Sequence, residues 1–472
     1  MTRVAPAQKS FADLEFERQG VVLDPILQSI SDLLDEHGEL VEKVHRDLVR
    51  GLKRPQTGRE GLSAGRVLRA FVLQRIKNCD LRELRERIAD GLTMRQFTQF
   101  RSDAVPSHHA FHRAFQRLRP ATLREVNEAV VQVAVAMGIE DGKKLRVDST
   151  VVEADIHYPT DGGLLWDSVR VITRLVKRVG EILPSLTECF PNRCRRARRR
   201  MQELQRMDRQ QRPRQQRRKY RDLIAVTQEV VQKAREVMES LERIRLLDMR
   251  KATRAKQLRE RILHHCELAE RVMDQARRRV FQGEKLSAEE KIVSIFEPHT
   301  AIIKRGKVSK PVEFGRKVFL AESGQGLITD FQVLTGNPPD EAQVPDSLRR
   351  HRETFGAVPE VYAADRGFYS EANLELCETV GIRLVSVPYC GGRKTPAQQA
   401  LEKTKDFREG QRFRAGIEGR ISVLFRGRGM KRCLLDGEER FELFVAAAVL
   451  ANNLLLIARH LEKRKARGRR RR

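Results

Sequence analysis

The chain has 472 residues, 92 of them Lys or Arg against 64 Asp or Glu, for a formal net charge of +28, and 40% of it is hydrophobic. At roughly 100–200 residues per domain this is a protein of two to four domains with apolar material for real cores, which excludes wholesale disorder. A charged fraction of 33% interrupts the apolar runs that a span of about 18 residues needs, the start MTRVAPAQKSFADLEFE lacks a signal core, and no Cys pair reads as C-x-x-C, so a membrane protein, a disulfide scaffold and a zinc ribbon are all excluded.

A cytoplasmic, nucleoid-associated protein is expected. So basic a surface attracts polyanions and releases counterions on meeting a phosphate backbone, which puts nucleic acid ahead of an anionic membrane or ribosomal packing as partner. Aromatics are only 6% of the chain and Trp166 is the one tryptophan. That favours backbone contacts to duplex DNA over base stacking.

From about Pro25 to Val135 apolar residues recur at three- and four-residue spacing, and Ser63 and Ser107 stand where N-caps would stand. This predicts a helical N-terminal domain, residues 1–140, either an ordinary bundle or a helix-turn-helix that binds DNA. His108, His109 and His112 fall here and read as surface residues, not ligands. At Lys144 the texture changes: KLRVDSTVVEADI reads as a largely buried strand. Residues 171–290 then read as a basic helical insertion. It holds a dense arginine run divided by Pro213, followed by helices over about 222–247 and 252–280 with a narrow apolar seam. The run is either a solvated face or a clamp on DNA. The consecutive His264, His265 and Cys266 fan around a helix and cannot converge on one ion.

Strand texture resumes with VEFGRKVFLAES and GLITDFQVLTG, a hairpin turning at ESGQG. A helix over about 340–355, the strand VPEVYAAD, the helix SEANLELCETVG and the strand IRLVSVP follow, so an α/β domain is interrupted after its first strand. FELFVAAAVLANNLLLIARHL is an apolar helix, kept from a membrane reading by Glu442, Asn452 and Asn453. The last stretch, 456–472, is expected to be a disordered basic arm.

Three carboxylates carry the chemical argument. Asp148 sits inside the apolar VDSTVV strand, where desolvation requires either a cation ligand or a salt bridge to an arginine. Asp365 closes the YAAD strand, at the strand end where open α/β sheets place ligands, or else caps a turn. Glu418 is surrounded by Arg412, Arg414, Arg420, Arg426, Arg428 and Lys431 and is either a charge-balancing surface residue or a third ligand beside a phosphate track.

In that order, LRVDSTVVEADIHYPTD, EFGRKVFLAES, YAADRGFYS and FRAGIEGRISVLFRGRGMKR resemble the DDE transposases of bacterial insertion sequences, and the DSTVVE and HYPTD blocks are most similar to the ISNCY-type group. The resemblance implies a ribonuclease-H-like catalytic domain with a mixed sheet over 141–170 and 291–455. It further implies Asp148, Asp365 and Glu418 as catalytic metal ligands, and two Mg²⁺ or Mn²⁺ ions per site. The activity implied is cleavage of double-stranded DNA at transposon ends and joining of the freed 3′-OH to a target, by a homodimer or larger assembly on DNA. Arg366, Arg414, Arg420, Arg426, Arg428 and Lys431 are the expected DNA contacts. Around the glutamate, Arg414 keeps the family spacing, whereas Gln411 stands for the usual Tyr and Phe425 for the usual Lys. A non-enzymatic DNA-binding protein and a ribonuclease-H-like nuclease without strand transfer are the alternatives. A role for Trp166, Tyr158 or Asp161 at DNA strand ends competes with an ordinary core role.

Overall fold

The computed structural model describes residues 11–54, 57, 61–207, 213–304 and 312–470. The centre of the arginine run, 208–212, and the last two arginines lie outside them. Two compact units divide the chain, residues 1–153 with 316–472, and residues 154–315.

The first unit begins with helices α1 (Phe11–Arg18), α2 (Pro25–Glu36), α3 (Gly38–Val49), α4 (Ala64–Lys77), α5 (Leu81–Asp90), α6 (Leu92–Phe97), α7 (His108–Phe115) and α8 (Pro120–Ala136). Three of the starts obey capping chemistry, with Asp24, Ser63 and Asp80 accepting backbone N–H groups from the first turns of α2, α4 and α5, whereas Ser107 stands at the N-cap position of α7 without a side-chain cap bond. Strand β1 (Lys144–Ala154) follows.

The second unit, described by itself, is a bundle of α9 (Asp161–Gly180), α10 (Cys194–Gln205), α11 (Pro213–Arg243) and α12 (Met249–Val280), with strand β2 (Ala301–Lys304) after it. Pro213 stands at the start of α11, where its missing N–H costs nothing. The narrow seam expected of the long helices is instead one face of a broad core. Leu165, Val169, Ile172 and Val176 of α9 pack with Leu223, Val230 and Met238 of α11 and Ile262, Ala269 and Val272 of α12. Because α9 supplies so much of that core, the inserted unit begins near Ala154 and not near residue 171.

Strand β3 (Val312–Ser323) pairs antiparallel with β2 through Val312–Gly315, and its remainder belongs to the first unit. There it is followed by β4 (Ile328–Val333), α13 (Val344–Phe355), β5 (Val361–Ala363), α14 (Glu371–Thr379), β6 (Leu384–Ser386), α15 (Pro396–Lys403), α16 (Lys405–Gly427), β7 (Arg432–Cys433) and α17 (Glu438–Arg470). The sheet runs β4, β3, β1, β5, β6, with β7 also on β1. It is mixed: β3 and β4 are antiparallel, whereas β1, β5 and β6 are parallel. At the β3–β4 turn Gly326 has φ +90°, a conformation that disfavours a side chain.

Helix α17 is apolar nearly all round and lies against α2, α4 and α8. It is long and apolar enough to cross a membrane, contrary to the expectation that its polar residues would prevent this, yet 94% of its apolar window is buried inside the protein. Asn453 is absorbed by hydrogen bonds: it accepts from the Ile328 N–H and donates to Asn127 and to the Ile328 carbonyl. Nor is the basic arm unfolded. α17 continues to Arg470 because Arg464 donates to the carbonyls of Met137 and Gly138 beyond α8, while Glu462 accepts from Ser29 and pairs with Lys465.

Candidate active site

Strand alternation builds the site from β1. Leu145 and Val147 point into the core with Phe319, Tyr362 and Ala364, so Arg146 and Asp148 share the opposite face. β5 runs parallel to β1 with Arg146 level with Ala363, and the same register continued two residues sets Asp148 level with Asp365. Asp365 leaves the strand end and caps a short 3-10 turn, accepting the Gly367 N–H at 2.8 Å.

Over these strand ends lies α16, started by the Thr404 side chain, which accepts the Phe407 N–H. Its sheet-facing stripe is Phe407, Gly410, Ile417 and Leu424, and Arg414 occupies a position in the same stripe, only 17% exposed. Gln411, which stands for the family Tyr, donates to the carbonyls of Ala364 and Ser386 and so ties α16 to the ends of β5 and β6. Gly410 lets the helix sit this low, since a Cβ there would overlap the Ser386 side chain.

Arg414 is the centre of the arrangement. Its Nη2 lies 3.1 Å from Asp148 Oδ2 and 3.6 Å from Asp365 Oδ2, and its Nη1 is 2.9 Å from Glu418 Oε1, one helical turn along. The carboxylates grade outward, their side chains 13%, 39% and 66% exposed for Asp148, Asp365 and Glu418. Asp148 therefore makes the salt bridge that was one of its two readings, and Asp365 makes the cap that was one of its own. Both also face one cation. Asp340, across Gly367 from Asp365, is committed to Lys317 at 2.8 Å.

Beneath this cluster is an ion network whose acidic member sequence reasoning missed. Glu322 of β3, wholly buried, accepts both Nε and Nη2 of Arg146 at 2.8 Å and Nε of Arg420 at 2.9 Å. Arg146 also donates to the Phe413 carbonyl at 2.6 Å, so the network fastens α16 to β1 and β3. The signal was present in VFLAES, an acidic residue inside an apolar strand, the same signal that marks Asp148.

The expected DNA contacts separate into two groups. Arg366, Arg426 and Lys431 are exposed. Arg420 is taken by Glu322, and Arg428 donates to the carbonyls of Arg75 and Ile76 at the end of α4, where burial lowers its guanidinium pKa. A guanidinium satisfies such helix-end carbonyls well, which removes Arg428 from any phosphate track. In the second unit Asp161 is buried and held by Gln275 and Arg279, and Trp166 is half-buried against the bundle core beneath Arg170. Tyr158 is exposed, its ring edge-on to Phe314.

Among the described residues no three His, Cys, Asp or Glu side chains stand together as a ready metal cage. The guanidinium of Arg414 separates the three carboxylates. In donor chemistry the set still fits a divalent cation, being three hard oxygen ligands already turned toward one positive charge.

Two family models match the chain, a transposase domain (DUF772) over residues 21–117 and a transposase DDE domain over residues 293–454. The chain belongs to the DDE transposases of insertion sequences. No curated protein and no solved structure gives a match to it. In this transposase the DDE match includes Asp365 and Glu418, whereas Asp148 precedes it in the chain. The DUF772 match takes in α2 to α7.

Proposed function

We propose that this transposase cuts double-stranded DNA at the ends of its element and joins the freed 3′-OH to target DNA, using Asp148, Asp365 and Glu418 as one metal-binding site. The observation that carries the reading is the convergence of the three carboxylates, from β1, the end of β5 and α16, on the Arg414 guanidinium. The strand order β4, β3, β1, β5, β6, with the first three elements of the catalytic half being β1 and the β3–β4 hairpin, supports a ribonuclease-H-like domain.

The three carboxylates would hold Mg²⁺ or Mn²⁺, two ions to a site. When bound, such ions supply charge stabilisation at the attacking and leaving oxygens of a phosphodiester. The chain's own groups bind and orient. Arg414 balances the carboxylates, and with cations held there its forked donors would suit contact with a DNA phosphate. Arg366, Arg426 and Lys431 are exposed and serve as DNA-backbone contacts, and the N-terminal helices supply further duplex binding. The protein works in the cytoplasm at the nucleoid, as a homodimer or larger assembly on DNA, and the ISNCY-type kinship belongs to this reading.

The test is a donor plasmid carrying the element with its flanks, incubated with the protein, Mg²⁺ and a target plasmid. Joined donor–target products are expected. Cleaved donor without joining would leave a nuclease, and binding without cleavage would leave a DNA-binding protein.

A further inference from the structure

The second unit divides its arginines into two sets. Arg193, just before α10, and Arg196 and Arg200 on it turn toward α11 and pair with Glu229 and Asp222, and Glu203 is shared by Arg200 and by Lys219 of α11. Elsewhere in the bundle Arg235, Arg254, Arg259 and Arg278 each find a carboxylate. Six other arginines of the run do not. Arg195, Arg198 and Arg199 on α10, and Arg214, Arg217 and Arg218 in the first turns of α11, are exposed and have no carboxylate partner among the described residues.

Helical periodicity places these two rows. On α10 the core side is Ala197 and Met201, the ion-paired side lies next to it, and Arg195, Arg198 and Arg199 lie away from the core. On α11 Tyr220 and Leu223 are in the core, Lys219 and Asp222 are in the ion-paired seam, and Arg214, Arg217 and Arg218 are outside both. Arg199 and Arg218 border that seam on its outer side with Arg195 and Arg214 next to them, whereas Arg198 and Arg217 lie on the far flank of their helices. Arg195 with Arg199 and Arg214 with Arg218 are like charges at i,i+4, an arrangement that weakens an isolated helix. A merely solvated face intersperses signs, as the rest of this bundle does.

We propose that these six arginines form a second nucleic-acid surface, carried by the inserted unit, that grips the phosphodiester backbone of duplex DNA without reading bases. Arginine supplies the forked donors that phosphate oxygens accept. The only aromatic side chain in α10 and α11 is Tyr220, which is buried, so the surface has no stacking platform for single strands. This goes beyond the catalytic reading and rests on it only for DNA as the partner.

The test is a fluorescence-anisotropy titration of the full chain with duplex DNA of arbitrary sequence over a range of salt, in metal-free buffer so that cleavage does not enter. Replacing Arg195, Arg198 and Arg199 with Gln, or Arg214, Arg217 and Arg218 with Gln, should weaken binding about tenfold or more and make the plot of log K against log salt shallower by about 2–3. Arg196→Gln, in the paired set, should leave the slope unchanged. An unchanged affinity and slope in both triple variants would overturn the proposal, as would a loss seen only with an acidic polypeptide ligand. Should a triple variant fail to fold, arginine modification in the unaltered protein decides: DNA should protect these six residues, and equal labelling with and without DNA sinks the idea. Cleavage by the unaltered protein is scored separately. Absent cleavage with a lost salt slope removes the catalytic reading and leaves this surface standing.

Discussion

Arginine does opposite work in the two units. In the first, Arg146, Arg414 and Arg420 are turned inward, 13–17% exposed, and each is fixed by carboxylates from other elements. In the second, half of a run equally rich in arginine lies on two helices facing water. The residue type is the same and the surroundings differ. Where a guanidinium meets buried Glu322 it is architecture, because removing either partner strands a charge in low dielectric. Where it lies on a helix face among other arginines it adds field, and field recruits polyanions.

That contrast can be broken most severely at Glu322. Glu322→Ala leaves Arg146 and Arg420 facing one another without a counter-charge and should cost about 3–5 kcal/mol in chemical unfolding of the first unit. Arg196→Gln, which loses a half-exposed pair on the second unit, should cost about 0–1 kcal/mol. Equal losses would erase the distinction.

Titration sharpens it. Burial lowers the imidazole of His351 to about 4, and that of His265 on α12 also to about 4. A histidine held neutral by the fold takes up its proton more readily when unfolded. Stability is therefore complete above pH about 6.5 and falls as the pH drops toward 4. For His351, 4% exposed, the loss should approach about 2–3 kcal/mol, measured as the acid limb of unfolding, and His351→Leu should flatten that limb. A limb of the same steepness in the variant would place the acid sensitivity elsewhere.

A smaller effect is expected at the centre of the site. Arg414→Gln leaves three carboxylates without their shared cation and should destabilise the metal-free protein by about 1–3 kcal/mol, with Mg²⁺ restoring the difference. If Mg²⁺ stabilises the variant and the unaltered protein alike, Arg414 is not the counter-charge that metal replaces. Gly410→Ala should cost about 1–3 kcal/mol, because the added methyl pushes α16 off Ser386.

How much of this was legible in the sequence follows from the range of each interaction. Strand β1, the β3–β4 hairpin, β5 and the helices between them announce themselves by local period and by turn residues such as Gly326. The meeting of Asp148, Asp365 and Glu418 on one guanidinium joins three elements far apart in the chain, and no local period announces it. Arg420 and Arg428 were illegible because their partners, Glu322 and the end of α4, are distant in the chain, and charge density along a segment does not tell an inward arginine from an outward one. The basic tail misled in the same way: it looks too charged to fold, yet Arg464 finds helix-end carbonyls, and the inserted helices, expected to share only a narrow seam, build a broad core while wearing their charge outside. Helix α17 reads as buried from its composition, but what buries it, α2, α4 and α8, is set by tertiary packing alone.

The central claim is that three carboxylates from three elements act as one metal-dependent cutting site. It is tested most directly by cleavage of labelled element-end DNA under Mg²⁺ or Mn²⁺ with the unaltered protein and with Asp148→Asn, Asp365→Asn and Glu418→Gln, all checked for retained DNA binding. The account predicts cleavage that needs the metal and falls by roughly a thousandfold in each variant. Cleavage that survives any one of the three substitutions, or that proceeds in a chelator, would contradict it.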